Sequence, residues 1–159
     1  MKAENSLQNQ LIDYLENQYT HRSLADAAKD LPDELINVKP ENVPYTFYQM
    51  LEHIRITQID MIDFINNPNY RELEWPKDFW PDEKVKATKD MWNESVEKYQ
   101  MDLNTLKDII KGADDNIFER IPHGTGQTIF REVLQVIDHN SYHIGELILM
   151  RKLCNAWGK

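Results

Sequence analysis

"IDHNSYHIGEL", residues 137–147, decides how this chain is read. It lies inside an apolar run that opens at Thr128 or Gln127, after "IPHGTG", and reaches about Asn155. Ile129, Val133, Val136, Ile137, Leu147, Met150 and Leu153 recur at helical spacing and mark a buried side. His139 and His143 are four residues apart, so they stand on one face of that helix, one turn above the other. Two readings follow from the pair alone. The imidazoles are neutral, hydrogen-bonded core groups, or they are half of a metal site.

Working outward, three further amphipathic segments have the same period. The first is expected from about Glu4 to about Ala28, with Leu7, Leu11, Tyr14, Leu15, Tyr19 and Leu24 near helical spacing and Pro32 as its stop. The second starts after Pro44, carries "YTFYQMLEHIRITQIDMIDFI" and ends at about Asn66, before "NNPN" closes it. The third is expected from near Asp82 to Lys111, on the stripe Val85, Trp92, Val96, Tyr99, Leu103, Leu106 and Ile110. Lys111–Gly112 reads as its stop, a cation followed by a glycine. Between the second and third, "YRELEWPKDFWP" cannot continue a helix, and its aromatics are expected to fold back over one end of the core. No segment has the period-two alternation of a half-buried strand. Four such helices with modest connections predict an all-α four-helix bundle, one domain over residues 1–159.

Composition narrows the function classes. The chain has 159 residues, 41% of them hydrophobic, enough for a substantial core without disulfides. Its formal charge of −9 and the lack of a basic face argue against nucleic acid as a partner. Excess acid also raises the local concentration of cations, divalent metals included. No stretch approaches the roughly 20 apolar residues that span a bilayer, so no membrane is expected. "MKAENSLQNQLIDYL" is too polar for a signal peptide. The single cysteine, Cys154, suits a reducing compartment, and the expected location is cytoplasmic.

The second helix bears on the histidine question. His53 sits mid-helix in "MLEHIRITQ", among Met50, Leu51, Ile54 and Ile56, and shares a face with Gln49, Thr57 and Asp60. Ligands from facing helices converge in a bundle core. One histidine from the second helix and the pair from the fourth would put three nitrogens around a point. Such a set suits Zn²⁺, Ni²⁺ or Fe²⁺ at about 2.0–2.1 Å, with one position left open.

The segments "LPDELINVKP", "MLEHIRITQIDMIDF", "WPKDFWP" and "GTGQTIFREVLQVIDHNSYHIGELILMRK" resemble the DinB-like superfamily over nearly the whole length. The "DHNSYHIGEL" phrase is its most specific part. The resemblance implies a divalent metal bound at positions that map onto His53, His139 and His143. It also implies homodimers, and activity as a metal-dependent hydrolase or as an S-transferase using a low-molecular-weight thiol. The expected partner is then a small-molecule substrate. The other reading is non-enzymatic, a metal- or ligand-binding dimeric bundle acting as a sensor or scaffold.

Several groups are candidates for work beside the ion. Glu146 follows His143 by three residues and Glu132 precedes His139 by seven, so both are expected near the ligand face as catalytic carboxylates. Asp60 lies about 10 Å along the axis from His53, too far to share its ligand shell. Asp138 and Glu52 neighbour ligands in sequence but point elsewhere on their helices. Tyr142 and Asn140 are expected to orient an imidazole through its second N–H. The zincin HExxH motif is absent, and Ser141, two residues from each histidine, faces away from them. Cys154 reads as a small packing residue. His21 reads as a solvated group near the end of the first helix, and His123 as a turn residue or a group reaching the substrate side.

Overall fold

In a computed structural model, residues 7–16 and 20–158 are described. They form five α-helices: α1 (Leu7–Leu15), α2 (Leu24–Ala28), α3 (Phe47–Asn66), α4 (Lys89–Ala113) and α5 (Ile129–Leu153). The all-α bundle expected from the sequence is borne out. No strand occurs among the described residues, only an isolated bridge between Arg120 and Thr128. α3 packs against both α4 and α5, while α1 and α2 close the far side of α4 and α5. The core holds Phe47, Met50, Leu51 and Ile54 of α3, Trp92, Leu106 and Ile110 of α4, and Val133, Ile144 and Leu147 of α5.

Local chemistry sets the starts of the helices that matter. Thr46 and Gln49 form a reciprocal capping box at the head of α3, each side chain bonding the other's backbone N–H. Thr128 caps α5 by accepting from the Arg131 N–H. At the other end of α5, Asn155 takes positive φ (54°) and the Ala156 N–H returns to the Arg151 carbonyl.

Two expected helices are shorter than their hydrophobic stripes. The first does not run unbroken to Ala28, because the Ser23–Asp26 capping box starts α2 as a separate turn. Glu4 and Tyr19, counted in that helix from the sequence, lie outside the described residues. Tyr14 is exposed rather than core-facing. The third helix begins at Lys89, not near Asp82. The Asp82 carboxylate accepts from the Lys84 N–H, and Asn37 clamps the Ala87 backbone with one donated and one accepted bond. Those bonds hold 82–88 non-helical until the Thr88 hydroxyl accepts from the Met91 N–H. Val85 is therefore outside the helix and exposed. α4 continues past Gly112 to Ala113, within the usual scatter of helix ends. Leu153 of α5 is also exposed, where the periodicity assigned it to the buried side.

Candidate metal centre

The α3–α5 seam brings His53, His139 and His143 together. Each residue presents one ring nitrogen, and these three atoms lie within 4.8 Å of one another. Among the described residues this is the one His/Cys/Asp/Glu group arranged to hold a metal ion. His53 is buried at 2% exposure, and the two α5 histidines are partly covered. His53 Nε2 stands 3.3 Å from His139 Nε2. Tetrahedral bonds of 2.0–2.1 Å place two nitrogen ligands about 3.3 Å apart, so this edge already has the right length.

Backbone and carboxylate partners aim two of the rings. His53 Nδ1–H donates to the Phe79 carbonyl at 2.9 Å, which leaves Nε2 as its lone-pair nitrogen. His143 Nδ1 pairs with Glu146 Oε2 at 2.6 Å, and the Tyr45 hydroxyl donates to the other carboxylate oxygen at 3.1 Å. His139 differs, since its Nδ1 is buried with no hydrogen-bond partner. If His139 Nε2 is protonated it donates to His53, and its Nδ1 lone pair is stranded. If Nδ1 is protonated, two lone pairs face each other at 3.3 Å. A cation between the Nε2 atoms removes that conflict, and three neutral imidazoles are the donor set such a cation requires.

Burial favours the neutral form of two of the rings, His53 and His139. It pushes the His53 imidazole below its usual value, with the His143 ring adding to the effect and the Phe79 carbonyl opposing it. His139 is held down to about 3, by burial first and then by the His143 and His53 rings. The Tyr45 phenol is raised to about 12 by burial and by Glu146 beside it, so it remains a donor.

The proline-bounded segment forms one wall, as its aromatics suggested. Trp80 stacks on the His53 ring at 3.9 Å with planes 5° apart, and Tyr45 stacks on Trp80 at 5.2 Å. Trp75 leans toward His53 at 6.3 Å yet is 67% exposed, so this aromatic does not fold over the core. A cleft of about 450 Å³ lies between α3, α5, the 70–79 segment and the loop before α5, and none of the three histidines is in its lining. Thr57, Asp60, Met61, Phe79, Glu132 and Gln135 are among its lining. A smaller depression lined by His139, Asp138 and Tyr142 shares Met61 and Gln135 with it.

The DinB superfamily profile matches residues 16–147, which takes in all three histidines. The chain belongs to the DinB superfamily. No curated protein and no solved structure matches it.

Within this DinB-superfamily chain the carboxylates take different places. Glu146 sits behind His143 and is bonded to its Nδ1, with Tyr45 on its other oxygen. Glu132 is buried on the cleft wall, where Arg131 pairs with it. Glu52 is buried against Arg55 at 2.8 Å. Asn140 interacts with His139 through its side chain, which acts to raise the His139 pKa against burial, and it also reaches other helices. Its amide N–H donates to Gln58 at 2.8 Å and to the Tyr99 hydroxyl at 3.2 Å, tying α5 to α3 and α4. Tyr142 is largely exposed and touches His143 edge to face at 4.9 Å. Ser141 bonds back to the Ile137 carbonyl at 2.6 Å. His21 is exposed, and His123 both closes the loop, through the Phe64 carbonyl at 2.6 Å, and lines the cleft. Reading the sequence placed Thr57 on the His53 face without giving it a role, and it did not identify Tyr45, Trp80 or the Phe79 carbonyl as partners of the site. The signal for those three is proximity in sequence to Glu52–His53 or to a proline, which does not specify a contact.

Proposed function

We propose that this protein is a divalent-metal-dependent enzyme that activates a small nucleophile, water or a low-molecular-weight thiol, at His53, His139 and His143. One observation carries the reading: three imidazole nitrogens converge, and among the described residues the buried ring nitrogen without a geometric hydrogen-bond partner belongs to His139. Zn²⁺, Ni²⁺ or Fe²⁺ held there supplies Lewis acidity at an open position. The chain's own part is to aim the donors. Phe79 and Trp80 fix His53, while Glu146 and Tyr45 fix His143. Thr57 lies one turn beyond His53 and Gln135 one turn before His139, so the substrate approaches along the cleft they line.

The test is metal content, by elemental analysis of tag-free protein beside His139→Ala/His143→Ala. About one equivalent in the parent and none in the variant supports the site. Hydrolytic substrates and thiol consumption are then assayed on the loaded protein. Failure of the parent to take up Zn²⁺, Ni²⁺ or Fe²⁺ would return the chain to the non-enzymatic scaffold reading. An ion that binds but turns over neither water nor thiol chemistry favours the sensor reading.

A further inference from the structure

The cleft between α3 and α5, which shares Met61 and Gln135 with the depression lined by His139, has its own chemical character. Asp60, Glu72 and Glu132 line it with one cation, Arg131, and that guanidinium pairs with Glu132. Asp60 accepts from the Tyr70 hydroxyl at 3.0 Å and has no ion-pair partner among the described residues. Burial raises its pKa, the direction that a cation seated beside it would oppose. A second, independent feature points the same way. Thr57 is 6% exposed, lines this cleft, and its hydroxyl oxygen has no hydrogen-bond partner. A helical threonine commonly bonds back to the carbonyl four residues earlier, which this one does not do.

We propose that the cleft binds the primary ammonium group of a small linear substrate through Asp60 and Thr57, with the reactive end of that substrate at the three histidines. The position of the reactive end rests on the metal-enzyme reading above, whereas the ammonium seat does not. An ammonium carries three donors and no acceptor, so one carboxylate and one unpartnered hydroxyl are complementary to it. A metal ion is a poorer occupant, because these carboxylates do not form a ligand cluster with any third group. Asp60 lies seven residues from His53 on α3, about 10 Å along the axis at 1.5 Å per residue. That distance suits a chain of about six carbons between the ammonium and the reacting atom. The cleft's volume of about 450 Å³ is in the range for a small ligand. Met61 and Phe79 supply the apolar wall for its methylenes.

Calorimetric titration of metal-free protein with hexylammonium, hexan-1-ol and hexanoate tests the seat. Hexylammonium is expected to bind about tenfold tighter than hexan-1-ol, and hexanoate more weakly than either. Asp60→Asn should bring hexylammonium and hexan-1-ol within about twofold of one another, and Thr57→Val should weaken hexylammonium alone. Equal or tighter binding of hexan-1-ol by the parent, no binding of hexylammonium, or an unchanged preference in Asp60→Asn overturns the proposal. A second arm adds 6-aminohexane-1-thiol to Ni²⁺-loaded protein and records thiolate-to-nickel absorption. Ammonium preference without that absorption removes the thiol half of the proposed function and leaves the seat standing. Absorption without the preference does the reverse.

Discussion

Helix α5 carries buried polar groups in two places, and they are satisfied in opposite ways. Toward its C-terminus Arg151, 5% exposed, donates to the carbonyls of Ala27, Lys29 and Ala156 at 2.6–2.9 Å. Its guanidinium closes the end of α2 and the end of α5 together. Three turns earlier His139 faces His53 and His143 with one buried nitrogen unmatched. Both regions cost desolvation, but only the first recovers it within the chain. A closed polar group is architecture. An open one, in a seam where two neighbouring rings are already aimed, calls for something from outside.

That contrast can be broken at several points, the strongest first. His139→Ala should remove metal binding altogether, read as loss of the bound equivalent, while the stability of metal-free protein stays within about 1 kcal/mol of the parent. A large stability loss instead would make His139 as structural as Arg151. Conversely, Arg151→Met should cost about 3 kcal/mol in urea unfolding, since several buried carbonyls lose a charged donor. Metal stoichiometry of the folded fraction should not change. Between these extremes, Glu146→Gln should weaken metal binding about 10–100-fold, the usual effect of losing the carboxylate behind a ligand histidine. Tyr45→Phe, one bond further out, should weaken it less. A competition assay with a chromophoric chelator reads both.

The smallest effect concerns acid. His139 has a folded-state pKa near 3, against about 6.5 in the unfolded chain, so the unfolded state binds the extra proton. Metal-free protein should therefore lose stability as pH falls from about 6.5 toward 3, and the contribution of this residue should vanish in His139→Leu. The ring is only partly buried, so solvent moderates the slope. Identical pH profiles for parent and variant would show that the His139 ring is not desolvated as its surroundings imply.

The seam was unevenly legible. His139 and His143 could be paired from spacing because an α-helix stacks residues four apart whatever surrounds it. The start of α5 was readable for a similar reason, since Thr128 caps through a bond three residues away. The Ser23–Asp26 and Thr46–Gln49 boxes carry the same local signal, and the first of them marks the break that the hydrophobic stripe of the first helix conceals. The late start of α4 has local signals in Asp82 and in the Thr88 cap, but the Asn37–Ala87 clamp that completes it joins residues 50 positions apart. Glu146 was correctly placed near His143, as the i,i+3 spacing requires. Its second partner, Tyr45, lies 101 positions away, and no local spacing signals that bond. Asn140 shows the converse, a polar group beside a ligand whose partners, Gln58 and Tyr99, lie on other helices.

By itself, then, the sequence determined the helical class, the length of α3 and α5, and the histidines that those helices present. Each depends on interactions within a few residues, where covalent geometry dictates who meets whom. The tertiary structure alone decided which nitrogen of His53 faces inward, which side chain supports Glu146 from another segment, and which buried atoms are left without partners. Those outcomes depend on contacts between helices, and the packing of α3 against α5 sets them through positions that no local period encodes.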